Sequence, residues 1–426
     1  MTKGDQSPLG RRRWEGGRCY VFMQLPGSLE VVPCGRLRTE EQLGVPTGKF
    51  AYLSDYLSRA DAVAIDPFEL PLKRGTFTTT RLRGMFGALR DSSPDAWGRR
   101  VIEHALRVSE LSELQYLLNS PEDRIGALSF SRDEQPPAPV QRFNKTLQLA
   151  TLIQLAEQIV AGVPPEELVQ SADLLSPGTS LGGARPKNVV EDDAGLWVAK
   201  FPLKTDRWNA PVVEAAMLSL GARAGLRVAE HRLERVGQRD VLLVKRFDRE
   251  HTAAGYSRSR MVSGLTVLQA EEGAGDRLAW SYPRLAEELG RWCRDARDDR
   301  HELYRRMAFN ALISNADDHP RNHALLAPAR DWHLSPAYDL TPSPGVSQER
   351  RLAMQIGEKG VAATRANLLS VARRFDFTVE EATAEIDRIK DCVRTHWEAE
   401  VRKYGGTDAE VATIASAFDY PGFEYE

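Results

Sequence analysis

Apolar residues recur along this chain with two periods, and the places where the period changes divide it into parts. From Tyr20 to about Thr80 the apolar runs are short and strand-like, at Tyr20–Met23, Glu30–Val32 and Phe77–Thr80, with Gly and Pro turns between them. Ser92-Ser93-Pro94-Asp95 then offers side-chain oxygens to cap a helix over Ala96–Val108, and a second helix is predicted over Leu111–Leu118. At Arg132–Pro139 four polar residues run into three prolines within four positions, a pattern that favours extended backbone. The pattern predicts a β-rich unit with helices over 1–131 and a linker over 132–145.

Beyond the linker, Leu149, Leu152, Ile153, Ala156, Ile159 and Val160 share one face at helical spacing, which predicts an amphipathic helix over Thr146–Ala161. A glycine-rich turn at Gly178–Pro186 comes next. It leads into strands over Asn188–Glu191 and Leu196–Phe201, joined by the turn Asp192-Asp193-Ala194-Gly195. A helix over Val212–Ala224 and strands over Val228–Glu234 and Val241–Phe247 complete a sheet-and-helix lobe over 146–250. From 251 to 426 the pattern is mostly helical, with helices predicted over Tyr282–Ala296, Glu302–Ser314, Ala363–Arg374 and Val379–Thr395. Short strands over His323–Leu326 and Trp332–Ser335 interrupt them. The expected fold class is α+β: a two-lobed, protein-kinase-like arrangement with a small β-rich N-terminal subdomain and a mostly helical C-terminal lobe.

Composition narrows the class. With 57 Lys plus Arg against 60 Asp plus Glu the net charge is −3, and 42% of residues are hydrophobic, which is globular and excludes a disordered or collagen-like chain. Charge so near balance leaves any DNA contact to a local patch or a partner. No apolar run approaches the ~18 residues of a membrane span, and Met1–Arg13 is polar and basic with no apolar stretch behind it. Cys19, Cys34, Cys293 and Cys392 are scattered without a C-x-x-C pair, so neither a zinc ribbon nor a dithiol redox motif is predicted and a reducing cytoplasm is the expected location.

The strongest chemical signal is Asn315-Ala316-Asp317-Asp318-His319-Pro320-Arg321-Asn322-His323. Asp317 and Asn322, five positions apart, match the kinase catalytic loop, in which the Asp orients and deprotonates an attacking hydroxyl and the Asn holds a metal ion. Sixteen residues after His323, Asp339 closes Ser335-Pro336-Ala337-Tyr338-Asp339, where a second metal-binding acid would lie. Alone, Asp317–Asn322 equally suits a capped, solvated loop. His319 and His323 have zincin spacing, but no Glu follows His319 and Pro320 opposes helix there, so zinc is disfavoured. Upstream, Ser180–Lys187 is a glycine-rich turn whose amides could approach phosphate oxygens. Lys200, at the end of an apolar strand, would reach the phosphates, and Glu214 in the next helix is placed to pair with it; a solvated edge lysine is the alternative. The strand running into Lys245-Arg246-Phe247-Asp248 is like the kinase hinge whose backbone binds adenine.

In this order, S-L-G-G-A-R-P-K (180–187), W-V-A-K-F (197–201), L-V-K-R-F-D-R (243–249), N-A-D-D-H-P-R-N-H (315–323) and L-S-P-A-Y-D-L (334–340) resemble the motifs of the HipA family, serine/threonine kinase toxins of bacterial toxin–antitoxin pairs. D-S-S-P-D-A-W-G-R-R (91–100) and D-R-I-G-A-L (123–128) resemble that family's N-terminal subdomain, and the resemblance runs from about Tyr20 to Glu400. It implies ATP and Mg2+ as cofactors, Asp317 as catalytic base, and Asn322 and Asp339 as metal ligands. It further implies an ATP site from the amides of Gly182, Gly183 and Ala184, from Ser180, Lys187 and Lys200, and from the backbone of Lys245 and Phe247. Glu214 and His319 would support the site, and autophosphorylation of Ser180 would eject the loop and silence the kinase. The implied partners are a helix-turn-helix antitoxin of the HipB type, DNA only through that antitoxin, and a protein substrate, an aminoacyl-tRNA synthetase being one option. Tyr256–Ser281 departs from the family pattern, as does Lys245, which stands where an acid is usual. Two other readings stay open: a small-molecule or lipid-type phosphotransferase, and a catalytically silent co-repressor. The intact Lys200, Asp317, Asn322 and Asp339 speak against the last.

Overall fold

The structure is a computed structural model and describes residues 17–138, 143–163, 185–418 and 420–425. Strands β1 (Gly17–Gln24), β2 (Val31–Gln42), β3 (Val45–Tyr52), β4 (Phe77–Thr79) and β5 (Leu128–Ser131) form an antiparallel sheet in the order β4-β3-β2-β1-β5. The β2–β3 hairpin is longer than the sequence pattern suggests, because Arg36, Arg38 and Glu40 alternate outward with buried Leu37 and Thr39. Its two-residue turn has positive φ at both Leu43 (52°) and Gly44 (81°), the twist that matches a right-handed ribbon.

Two helices follow. Asp95 caps α1 (Ala96–Leu106) by accepting from the Gly98 N–H at 2.6 Å, and a Ser112–Gln115 capping box opens α2 (Glu113–Asn119). The sequence places α1 inside the N-terminal unit, but its Trp97 and Val101 pack into the core of the next lobe. The boundary at 131 is thus a boundary in sequence that one helix crosses in space.

That next lobe is a sheet ordered β6-β7-β8-β10-β9, from β6 (Asn144–Lys145), β7 (Lys187–Asp192), β8 (Gly195–Lys200), β9 (His231–Val236) and β10 (Arg239–Lys245). The last residues of the expected linker are therefore a short parallel edge strand. Alternation along β10 decides what lies on each face. Val241 and Leu243 join Leu152, Ile153 and Ile159 of α3 (Leu149–Ala161), whereas Leu242 and Val244 join Val213, Ala216 and Met217 of α4 (Ala210–Arg223). The expected strand Val228–Glu234 begins three residues later, because Val228 is held in a bridge to Ala337.

The rest is mostly helical: α5 (Tyr282–Trp292), α6 (Ala296–Leu312), α7 (Val379–Lys403) and α8 (Asp408–Ile414). Interleaved are the hairpin of β11 (Arg249–Thr252) with β12 (Gly255–Arg258), and a sheet of β13 (Arg260–Ser263), β14 (Ala324–Ala327) and β15 (His333–Leu334). The predicted helices Tyr282–Ala296 and Glu302–Ser314 are redrawn: Cys293 is extended and bridges Trp332, so the first stops at Trp292 and the second starts at Ala296. The predicted helix Ala363–Arg374 is a helical turn, Arg365–Leu369, and a 3-10 turn, Ala372–Phe375, closed by Asp376 at φ 62°. The expected β-rich subdomain and helical C-terminal lobe are both present. Among the described residues no helix is long and apolar enough to cross a membrane.

Candidate active site

The cleft between the lobes is lined by Val198, Lys200, Lys245, Phe247, Met261, Asn322 and Asp339, and its other half by Lys187, Glu214, Asp317 and His319. Its roof is set by strand register. Lys200 ends β8 opposite Leu242 of β10 and Lys187 of β7, and its Nζ donates to Glu214 Oε1 at 2.6 Å and to Asp339 Oδ1 at 2.7 Å. The pairing of Lys200 with Glu214 expected from sequence is present. The Glu is fixed because α4 is buried against the sheet on one side and packs against α7 on the other.

Electrostatics follow from this crowding. Burial disfavours the Lys200 ammonium, but the two carboxylates outweigh burial and hold its pKa above the ordinary value. Burial dominates at Glu214 and raises its carboxyl despite Lys200. At Asp339 burial would raise the carboxyl too, but the charge and hydrogen bond of Lys200 prevail and lower it to about 2. The Lys200–Asp339 pair therefore persists throughout the neutral range and is lost only as pH falls toward that value.

Asp339 is presented by α6. Buried Arg306 pairs with Glu302 at 2.8 Å and donates to the Ser335 carbonyl at 2.6 Å, while Asp299 accepts from the Leu334 N–H at 3.0 Å. The chain then reaches Asp339 at φ 61°, a left-handed conformation that Asp tolerates better than most residues. Tyr338, one residue before, donates to the Arg321 carbonyl at 2.7 Å and lies over the Phe247 ring with centroids 5.6 Å apart.

The floor places two adjacent acids differently, and the one spaced five positions from Asn322 is the one that faces the cleft. Asp318 is buried and accepts from Tyr282 Oη and from His323 Nε2, and Asn310 Nδ2 donates to the same Tyr282 oxygen at 3.0 Å. Asp317 is exposed in the cleft, and among the described residues Asn322 Nδ2 donates to its backbone carbonyl at 3.3 Å while its carboxylate has no hydrogen bond. Asp318 builds the loop and Asp317 is offered to a ligand. His319 lines the cleft as well, its Nδ1 buried without a hydrogen-bond partner among the described residues.

A magnesium ion fits this donor set. Asn322 spends its amide nitrogen on Asp317, which leaves Oδ1 as an acceptor, and the 38%-exposed Asp339 side chain gives only Oδ1 to Lys200. One carboxylate, one amide oxygen and the oxygens of a bound phosphate are the ligands this hard cation commonly takes.

Two expected site residues line the cleft and carry contacts that their motifs do not show. Lys187 borders the cleft but its ammonium pairs with Asp95 at 2.9 Å. Lys245 borders it too, yet its amide already donates to the Glu230 carbonyl at 2.8 Å, so the hinge contact falls to its carbonyl and to Phe247. Ser180, Gly182, Gly183 and Ala184 lie outside the described residues.

Residues missed from sequence come from the N-terminal unit and from Tyr256–Ser281. Asp91 accepts from the Ser263 N–H at 2.7 Å and its hydroxyl at 2.8 Å, and the Gly264 N–H donates to the His323 carbonyl at 2.6 Å. A Cβ at Gly264 would come within 2.6 Å of the Pro320 oxygen, so the loop over 317–323 is seated on a glycine. Behind the hinge, Asp248 accepts from Arg246, Arg249 and the Gly126 N–H, while the same arginines donate to the carbonyls of Asp123 and Arg124. The signal was the R-F-D-R run directly after an apolar strand, too many charges for a solvated turn alone.

Comparison with known proteins agrees with this geometry. A family model described as the HipA-like C-terminal domain matches residues 179–397, more than half of the chain, and one described as the HipA N-terminal domain matches residues 28–131. Two proteins of Sinorhizobium fredii (strain NBRC 101917 / NGR234) are similar in sequence. "Putative kinase Y4mE" is 25% identical over 342 residues, covering 73% of this chain and 76% of its own. "Putative kinase Y4dM" is 26% identical over 233 residues, covering 50% and 54%. Among solved structures, a chain of the Shewanella oneidensis MR-1 toxin–antitoxin complex of HipA, HipB and operator DNA matches in fold. Its TM-score is 0.67 at 17% identity, with 93% of this chain and 94% of that chain covered.

Proposed function

This chain belongs to the HipA family, and from that membership and the cleft's geometry we propose that it is a serine/threonine protein kinase of the toxin type that uses Mg-ATP. One observation carries the reading: Lys200, Glu214 and Asp339 are joined above Asp317 and Asn322, the constellation that phosphoryl transfer requires. Val198, Phe247 and the backbone of Lys245 would hold adenine, and Lys200 would reach the phosphates. Asp317 accepts the proton of the substrate hydroxyl as its oxygen attacks the γ-phosphorus; the bond to the β–γ bridging oxygen breaks and ADP leaves. Asn322 and Asp339 would hold magnesium, which would supply charge neutralisation of the phosphate oxygens. The partner is a HipB-type antitoxin that carries the DNA contact, and the substrate is a cytosolic protein.

Ligand binding tests the cleft. Mg-ATP raises the unfolding temperature of the wild type, by ~2.7 kcal/mol of stability at a hundredfold excess over Kd. Lys200→Ala reduces that shift, because a phosphate contact is lost and the adenine contact is kept. A wild type whose melting is indifferent to millimolar Mg-ATP has no such site.

Control runs through Ser180. A phosphoserine adds roughly −1.5 to −2 charges at neutral pH, which the ATP phosphates repel, and the neighbouring glycines let the loop swing out. Mass spectrometry after incubation with Mg-ATP finds one phosphate on the Ser180 peptide of the wild type and none in Asp317→Asn. If phosphate never appears on that peptide, or the phosphorylated form binds ATP as tightly as before, this control is wrong.

A further inference from the structure

Two lysines face each other across the strands that roof the cleft. Lys187 opens β7 in register with Lys200 at the end of β8, so both side chains leave the same face of the sheet. Like charges at opposed positions destabilise a sheet unless each is balanced. Lys200 has Glu214 and Asp339; Lys187 has Asp95, and the side chains of that pair are 3% and 6% exposed.

Asp95 comes from the N-terminal unit, 92 residues before its partner, and it is fixed independently of it. Its Oδ1 caps α1 through the Gly98 N–H, which leaves Oδ2 for Lys187. Trp97, in the first turn of α1, donates from Nε1 to the Lys187 carbonyl at 3.0 Å, so helix and strand are tied at side chain and backbone together. Two residues before Lys187, Arg185 is held by Asp206 at 2.5 Å. Both ties sit at or just before the start of β7, and Lys187 borders the same hollow as Lys200, Asp317, Asn322 and Asp339. An ammonium this buried keeps its charge only beside a counter-charge, and its three donors can be divided between a carboxylate and a phosphate oxygen.

We infer that Asp95 is a positioning residue for the nucleotide phosphates: from the N-terminal unit it holds Lys187 as a second cation beside Lys200, so the triphosphate site spans both units. This rests on reading the cleft as an ATP site. It makes the N-terminal unit part of nucleotide recognition, and gives anything bound to that unit a direct route to the phosphates through α1.

The test compares ligands with and without phosphates on the full-length chain. Asp95→Asn keeps the oxygen that caps α1 and removes the charge that holds Lys187. By titration calorimetry in Mg2+, affinity for ATP falls at least about tenfold, the scale of one lost contact to a charged group, while affinity for adenosine stays at the wild-type value. Adding Lys187→Gln to Asp95→Asn weakens ATP no further, because both changes remove the same contact. A pair that only braces the two units leaves ATP affinity unchanged, or lowers ATP and adenosine alike, or gives additive losses; each of these overturns the inference. Should Asp95→Asn alone not fold, Asp95→Asn/Lys187→Gln, which buries no unpaired charge, carries the same ATP-against-adenosine comparison. A wild type that binds neither ligand, or both equally, defeats the nucleotide reading itself rather than the role of Asp95.

Discussion

Asp317→Asn abolishes phosphoryl transfer while leaving the fold intact. The side chain is exposed in the cleft and makes no hydrogen bond among the described residues; the interaction that braces the loop here uses its backbone carbonyl, which the substitution keeps. Loss of a general base costs ~10²–10⁴-fold in rate, with no expected change in unfolding temperature. The adjacent Asp318→Asn behaves in the opposite sense. It disturbs the buried contacts with Tyr282 and His323, so the unfolding temperature falls and activity follows it. Steady-state rates and thermal melts of the two variants check the assignment. Retained activity in folded Asp317→Asn removes that residue from the chemistry.

Asp248→Ala is the most destabilising single change expected. Asp248 is 4% exposed and is the counter-charge of Arg246 and Arg249, whose remaining donors hold the Asp123 and Arg124 carbonyls of the N-terminal unit. Removing one partner of a buried ion pair leaves uncompensated buried charge and costs ~3–5 kcal/mol. Burial by itself would raise this carboxyl, but the two guanidinium groups outweigh burial and hold it well below the usual carboxylate range. A depressed folded-state pKa contributes stability that is complete above the unfolded value, near ~3.9, and disappears as pH falls through the folded one. The difference between wild type and Asp248→Ala is therefore constant from pH 5 to 8, about the neutral range in which both states are ionised, and shrinks in strong acid. Denaturant midpoints at several pH values measure it. A loss below ~1 kcal/mol, the scale of an exposed pair, would show that the arginines find other partners.

Much of the cleft was legible because its residues sit on elements with strong local signals. Lys200 ends an apolar strand, Glu214 lies one turn into a capped, proline-started helix, and Asp317 and Asn322 follow a buried helix. Period and spacing place all of them. What was not legible depends on where one element lies against another. The residues of α1 have an ordinary amphipathic pattern, and nothing in it says that Trp97 enters the second core rather than the first. Asp91 and Asp95 look like turn and cap residues and are both, while each also reaches across to a different part of the cleft. The spacing to Asn322 singles out Asp317 of the two neighbouring acids, but that Asp318 is a buried structural carboxylate follows only from the placement of Tyr282 and His323, remote from one another in sequence. The Lys245 amide is consumed by Glu230, a contact set by the β9–β10 connection rather than by the hinge sequence.

The most direct test of the central claim is transfer of label from γ-labelled ATP in Mg2+ to the purified chain itself. A protein kinase of this type labels its own wild-type chain on the peptide containing Ser180, in a reaction that Asp317→Asn and Asp339→Asn both lack. Wild-type protein that stays unlabelled with folded cleft and millimolar Mg-ATP, or label that appears on a small-molecule acceptor and never on protein, contradicts it.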